Sequence, residues 1–194
     1  MRGDSSADQD LGLTGRFAPS PTGPLHIGSL VTALASYCDI KQRGGRWYLR
    51  IDDIDPVRTD PRAIADITRT LHVHGLIPDA DLRQQSHFVP RYERALQQLI
   101  EHCFYCRCSR SELQGHKLYP GYCRAITEKT SNRAVRIRVD PQRRSFIDAL
   151  KGNHGYVLAD DFGDFVIWRK DDLVTYHLAT ACDEAMDYSH VLRG

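Results

Sequence analysis

The chain has no apolar run approaching the roughly 18 residues that a membrane-spanning helix needs. A membrane is therefore not an expected partner. The first fourteen residues, MRGDSSADQDLGLT, lack both an apolar core stretch and a cleavage-like pattern. They read as a mobile tail over 1–14 rather than a signal peptide or anchor. Charge of one sign is also missing, since 26 Lys and Arg meet 25 Asp and Glu for a net charge of +1. Bulk electrostatics thus neither demands nor excludes nucleic acid, and any such contact needs a local patch. One candidate lies at 133–144, with Arg133, Arg136, Arg138, Arg143 and Arg144; a solvated strand face accounts for it equally well. No internal repeat and no low-complexity tract are present. Six cysteines occur without a secretory pattern, which favours thiols in a reducing, cytoplasmic compartment over a disulfide framework.

What is present suffices for one substantial core, or one domain with an insertion: 194 residues, 41% hydrophobic and 26% charged. Arg16-Phe17-Ala18 is strand-like and breaks at Pro19-Ser20-Pro21-Thr22-Gly23-Pro24. An apolar-periodic helix then opens at Leu25-His26-Ile27-Gly28-Ser29 and ends at Gly44-Gly45. Arg46–Ile51 is a strand that runs into Asp52-Asp53-Ile54-Asp55-Pro56. Carboxylates at the C-terminal end of a strand sit where open α/β sheets bind ligands. A helix follows from Pro61 to about His74, with Asp60 as N-cap and Gly75 as stop. Pro90 opens another, to about His102. This spacing fits half of a doubly wound sheet.

The pattern changes at Phe104. Residues 104–124 are cysteine-rich and without periodicity, so something other than a core must hold them. Strands are expected at 134–139, 146–150 and 165–169, a helix over 173–187, and a last strand at His190-Val191-Leu192. Cys106-x-Cys108, with Cys123 fifteen residues on, supplies three thiols. A structural zinc site wants four ligands in a tetrahedron, and metal binding folds segments too small to fold alone. Cys103, His116 and Tyr119 compete for the fourth place, and zinc chemistry by itself ranks Cys103 or His116 first.

Strand, Pro/Gly turn and helix N-terminus form a layout in which backbone N–H groups and the helix dipole hold a phosphate. His26 and Ser29, three residues apart, can both face that anion. The whole string Gly15–Ser29, GRFAPSPTGPLHIGS, resembles the ATP-binding signature of the class I aminoacyl-tRNA synthetases in their glutamate-specific branch. There Arg-Phe-Ala-Pro-Ser-Pro-x-Gly precedes His-x-Gly. The usual motif ends in a second histidine, whereas this chain has Ser29. That variant is similar to a short branch of the family, which passes glutamate to queuosine in the anticodon of tRNA(Asp). DFVIWRKDDLVTYHLA (164–179) and the cysteine loop extend the likeness, and the chain holds no segment resembling an anticodon-binding domain.

The resemblance implies a Rossmann-like class I catalytic domain with a small zinc-binding insertion. Its parts are a first half over 15–103, an insertion over 104–172 containing the zinc loop 104–124, and the start of a second half over 173–194. It implies ATP as substrate, with Mg2+ accompanying it, bound at Pro19, His26, Gly28 and Ser29. His26 and Ser29 are the implied catalytic residues. The implied glutamate pocket is Arg16, Phe17, Ala18, Pro19, Ser20, Asp52, Tyr176 and Arg193. Asp52 stands where the family has glutamate, one methylene longer. Tyr119-x-Gly-x-Cys123 matches the family's zinc motif and so implies Cys106, Cys108, Tyr119 and Cys123 as ligands, with Cys103 in reserve. Asp183-Glu184 resembles an acidic pair near the ribose or amino group; otherwise it is surface.

In the family a Lys-x-Ser-Lys-like loop lies beyond a Val-x-Arg-Gly-like string, here Val191–Gly194. None of Lys41, Lys117, Lys129, Lys151 and Lys170 stands in such a motif. The expectation is a C-terminally truncated synthetase with an incomplete second half, weak adenylate formation and an exposed, aggregation-prone sheet edge. Competing readings are a fragment of a glutamyl-tRNA synthetase, a nucleotidyltransferase acting on another acid, and a non-catalytic remnant that binds glutamate or nucleic acid.

Overall fold

The computed structural model describes residues 12–193; residues 1–11 of the expected 1–14 tail and Gly194 lie outside the described residues, while Thr14, at the end of that expected tail, is buried and opens a strand. The chain divides into two compact units, residues 12–88 with 181–193 and residues 89–180.

The first unit is built on parallel strands. Strand β1 (Thr14–Phe17) leads to helix α1 (Ile27–Gln42), strand β2 (Arg46–Ile51), helix α2 (Pro61–Val73) and the two-residue strand β3 (Arg83–Gln84). The sheet order is β1-β2-β3, with Gly15 opposite Trp47 and Arg50 opposite Arg83. Phe17, Trp47, Leu49 and Ile51 form the core with Ala33 and Ile40 of α1 and Ile67 and Leu71 of α2. Glycine is required at position 15, because a Cβ there would lie 2.3 Å from Ile40 Cγ1. Helix α2 has its expected caps: the Asp60 carboxylate accepts from the Arg62 N–H at 2.9 Å, and Gly75 turns the chain at φ 72°.

The expected strand at 190–192 reduces to one parallel bridge between Gly15 and His190. Beyond it, the Leu192 carbonyl accepts from Arg16 Nη1 at 3.2 Å.

The second unit starts with helix α3 (Val89–Leu99), which tightens into a 3-10 turn at Ile100–His102, so the expected helix to His102 is α-helical only to Leu99. Strands β4 (Cys103–Cys106) and β5 (Ala134–Ile137) pair antiparallel. They are followed by the hairpin of β6 (Arg143–Asp148) and β7 (Gly152–Val157), the short α4 (Leu158–Asp161) and β8 (Val166–Trp168). Helix α5 (Tyr176–Asp187) begins in this unit and ends in the first. The order β4-β5-β8 makes a second sheet. The aperiodic segment expected from Phe104 thus begins as a strand, with Phe104 buried against Cys106 and Cys123. Strand β7 had no sequence signal, since Gly152-Asn153-His154-Gly155 is poor in β-formers. Its register comes from the turn, where Asp148 Oδ1 accepts from the N–H groups of Leu150 and Lys151 at 2.8 Å each.

Candidate active site and metal centre

Beyond the C-terminal ends of β1 and β2, the first unit buries a set of opposite charges. Period-two alternation along β2 turns Trp47, Leu49 and Ile51 into the core and leaves Arg50 on the other face with Tyr48. Arg50 is only 2% exposed. Its guanidinium donates to both oxygens of Asp52, at 2.7 and 3.2 Å, and to Glu184 Oε1 at 3.3 Å. Asp183 Oδ2 lies 3.6 Å from Arg50 Nη1 and accepts from Gln85 Nε2 at 2.9 Å. Arg16, also buried, donates through Nη2 at 2.6 Å and Nε at 3.0 Å to Glu184 Oε1. Arg193 Nη2 stands 3.7 Å from the same oxygen on a half-exposed side chain.

Burial alone lowers the pKa of Arg50, and Asp52, Asp183 and Glu184 outweigh it and raise the value. Burial raises the Asp52 pKa from its usual range, against the pull of Arg50 and Arg16. Asp53, next in sequence, turns elsewhere: it accepts from Ser86 N and Oγ and from Gln84 Nε2, tying the end of β2 to the segment after β3.

The residues expected for glutamate therefore divide. Arg16, Asp52 and Arg193 share one charge network. Phe17 is a core residue. Ala18 and Pro19 are half-buried and Ser20 exposed, and the Pro19 carbonyl accepts from the Asp52 N–H at 3.0 Å. Tyr176 opens α5 in the other unit, half-exposed, with its ring edge-on to His177. Asp183 and Glu184 are not the surface pair that was the alternative expectation: both belong to the network. Arg50 and Gln85 were not foreseen. The signal for Arg50 was an arginine two residues before an aspartate on one face of an otherwise apolar strand.

His26 is the N-cap of α1. Its Nδ1 accepts from the Ser29 N–H at 3.2 Å, and Ser29 Oγ lies 3.1 Å from Nε2. The two expected catalytic side chains are thus mutual partners. His26 and Gly28 are exposed, and the first turn of α1 carries no acid, which leaves the dipole end open to an anion.

The basic stretch at 133–144 is only in part an open face, with Arg143 and Arg144 exposed. Arg136 donates to the Asp164 carbonyl and covers the Tyr119 ring at 4.0 Å. Arg138 donates to the carbonyls of Cys103 and Arg124, and Arg144 pairs with Asp140. Arg136 and Arg138, two of the five, are therefore structural.

In the cysteine loop, the sulfurs of Cys106, Cys108 and Cys123 lie within 4.8 Å of one another. The Tyr119 hydroxyl is 3.5 Å from Cys106 Sγ and 3.8 Å from Cys108 Sγ, and it accepts from the Cys123 N–H at 2.8 Å. Cys103 instead directs its thiol to the Leu99 carbonyl, and His116 contacts the Tyr122 hydroxyl. Burial and its thiol neighbours push Cys108 up to about 11. Cys123, although burial opposes it, is lowered to about 7 by hydrogen bonds from the Arg107 backbone and from Tyr119. Three crowded thiols, one already easily ionised, fit a soft divalent cation. This cluster could hold zinc.

Comparison with known proteins agrees with this geometry. Residues 13–194 match the family model for the catalytic domain of class I tRNA synthetases (E and Q). The glutamyl-Q tRNA(Asp) synthetase of Acinetobacter baylyi is 43% identical over 183 residues, covering 93% of this chain and 63% of that protein. The protein of that name from Ectopseudomonas mendocina is 42% identical over 184 residues, with the same shares. The chain thus spans about 63% of the length of these relatives. A glutamate tRNA ligase from Elizabethkingia meningosepticum, solved in complex with its amino acid, superposes with a TM-score of 0.78 at 25% identity, over 92% of this chain and 43% of that one. Among the described residues, no helix is long and apolar enough to cross a membrane. By sequence and by fold, the chain belongs to the class I (E and Q) tRNA synthetase family and carries its catalytic-domain architecture.

Proposed function

We propose that the chain binds glutamate and ATP and forms glutamyl-adenylate, the glutamyl group then passing to queuosine in the anticodon of tRNA(Asp). The observation that carries this reading is Arg16, a buried guanidinium at the end of β1 whose partner is a carboxylate. Planar guanidinium groups suit carboxylate recognition, and glutamate presents two carboxylates. Arg16 and Arg193 hold these groups, Asp52 the α-ammonium end, and Ala18 to Ser20 the wall. A carboxylate oxygen of glutamate attacks the α-phosphorus of ATP, and the bond to pyrophosphate breaks. His26, with Ser29, Gly28 and the α1 N-terminus, stabilises charge on the phosphate, an effect worth about 10²–10³ in rate per donor. The names of the Acinetobacter and Ectopseudomonas relatives favour queuosine-bearing tRNA(Asp) as acceptor. Zinc held by Cys106, Cys108, Tyr119 and Cys123 is structural, since it would order a loop whose own cluster is small, Phe104, Cys106 and Cys123 with Cys108, Tyr119 and Ile126 against them.

Glutamate-dependent exchange of pyrophosphate into ATP is the test, run beside glutamine and aspartate. Exchange with glutamate alone is expected, together with transfer of labelled glutamate to tRNA(Asp) with queuosine but not to the unmodified tRNA. Exchange with another acid only, or neither exchange nor glutamate binding, overturns the reading.

A further inference from the structure

The carboxylate on Arg16 belongs to the protein itself. We infer that Glu184 is a resident stand-in, occupying Arg16 in the ligand-free protein and displaced by a substrate carboxylate, so that it sets the affinity for glutamate relative to glutamine. This rests on the functional reading above, and three observations carry it.

The first is how Glu184 is held. Arg16 Nη2 at 2.6 Å, Arg16 Nε at 3.0 Å and Arg50 Nη2 at 3.3 Å all donate to Oε1. Oε2 is shielded from solvent and has no hydrogen-bond partner. A guanidinium fork binds a carboxylate best through two parallel bonds to two oxygens. Here the fork meets one oxygen, so a ligand offering both would be the better partner.

The second is the company Glu184 keeps. Asp52 uses both oxygens on Arg50. Asp183 accepts from the buried Gln85. The side chain of Glu184 is 16% exposed against 2% for each of those two. Its side chain is the one of the three with access to solvent, hence the one able to swing away.

The third is charge. The buried guanidiniums of Arg16 and Arg50, with half-exposed Arg193, balance Asp52, Asp183 and Glu184. Glutamate brings two carboxylates and one ammonium. Adding it without releasing a resident anion would leave an uncompensated charge in a desolvated place, which is costly. Glutamine has an amide at the end of its side chain and cannot make the exchange there.

Isothermal titration of glutamate and of glutamine into the wild type and the isosteric Glu184→Gln variant tests this, with thermal melting to verify the fold. The folded variant is expected to bind glutamate about tenfold more tightly, within the usual span of site coupling, with glutamine affinity unchanged. Wild-type binding without a gain in the variant overturns the inference alone, and weaker binding assigns Glu184 to holding Arg16 in place. Absence of glutamate binding to both proteins overturns the functional reading and the inference with it. Should the variant not fold, a crystal structure of the wild type with glutamate decides: the Arg16–Glu184 contact is expected to open, and its retention overturns the exchange.

Discussion

The arginine–carboxylate network of the first unit and the thiol cluster of the second solve the same problem in different ways. Both place ionisable groups out of water. In the network, guanidiniums and carboxylates of opposite sign satisfy one another on strands and a helix end that a hydrophobic core already fixes. In the thiol cluster, like groups converge on a loop whose core is little more than Phe104 and the cysteines themselves. The first arrangement pairs its charges without a ligand, although Glu184 Oε2 and Gln85 Oε1 are left without a hydrogen bond. The second converges three thiols and a phenol, and we expect a cation from outside to order it.

The largest effect should follow from removing that cation. Structural zinc supplies about 10–16 kcal/mol in small zinc-dependent folds. Chelation is expected to abolish amide protection over 106–126 while protection in β1 and β2 persists, as read by hydrogen exchange. Equal loss in both would erase the contrast. Metal analysis sharpens it: Cys108→Ser should lose zinc and Cys103→Ser should retain it. Retention of full zinc by Tyr119→Phe, with loss in Cys103→Ser, would move the fourth ligand.

Next in size is Arg50→Ala. Breaking a buried ion pair from one side costs about 3–5 kcal/mol, because the remaining carboxylates lose their partner. Urea unfolding should show that loss, and a change under about 1 kcal/mol would mean that water reaches the network.

Arg16→Ala should weaken glutamate binding by about 2–5 kcal/mol in calorimetry, the usual cost of truncating one side of a buried charged pair. Unchanged affinity would leave the network purely structural.

The smallest effect concerns a charge outside both clusters. Asp79 accepts from Lys41 Nζ at 2.5 Å and from the Trp47 N–H at 2.6 Å. Partial burial opposes ionisation, but these contacts outweigh it and hold the carboxyl below its ordinary value. The unfolded chain binds this proton at a higher pH, so the stabilisation is full above the unfolded value near 3.8 and fades as pH falls through the folded one. Asp79→Asn should flatten the acid limb of a stability–pH curve, with little change at pH 7 in that slope.

Legibility varied by element for physical reasons. Strand β2 and helix α2 were readable because their signals are local: β-favouring residues between glycines and an aspartate, and an Asp-Pro start with a glycine stop. The hairpin partner β7 was not, since its sequence is poor in β-formers and pairing alone makes it a strand. The segment 190–192 read as a strand, yet it makes a single bridge to β1 and gives its Leu192 carbonyl to Arg16. The basic stretch was visible as composition, but its partners Tyr119, Asp164 and Cys103 are distant in sequence, so its structural use was not.

What the sequence by itself determined is the family, through the Gly15–Ser29 string and the cysteine spacing, along with the elements whose caps and periodicity are local. Only the tertiary structure decided that Arg50, Gln85, Asp183 and Glu184 join Arg16 and Asp52, because residues about a hundred or more positions apart meet only when the C-terminal half of α5 and the end of β2 come together. It also sets Tyr119, rather than Cys103 or His116, beside the thiols. Zinc-ligand chemistry ranks residue types, whereas backbone geometry decides which side chain reaches: Tyr119 Oη lies among the sulfurs, while the Cys103 thiol is committed to a helix carbonyl.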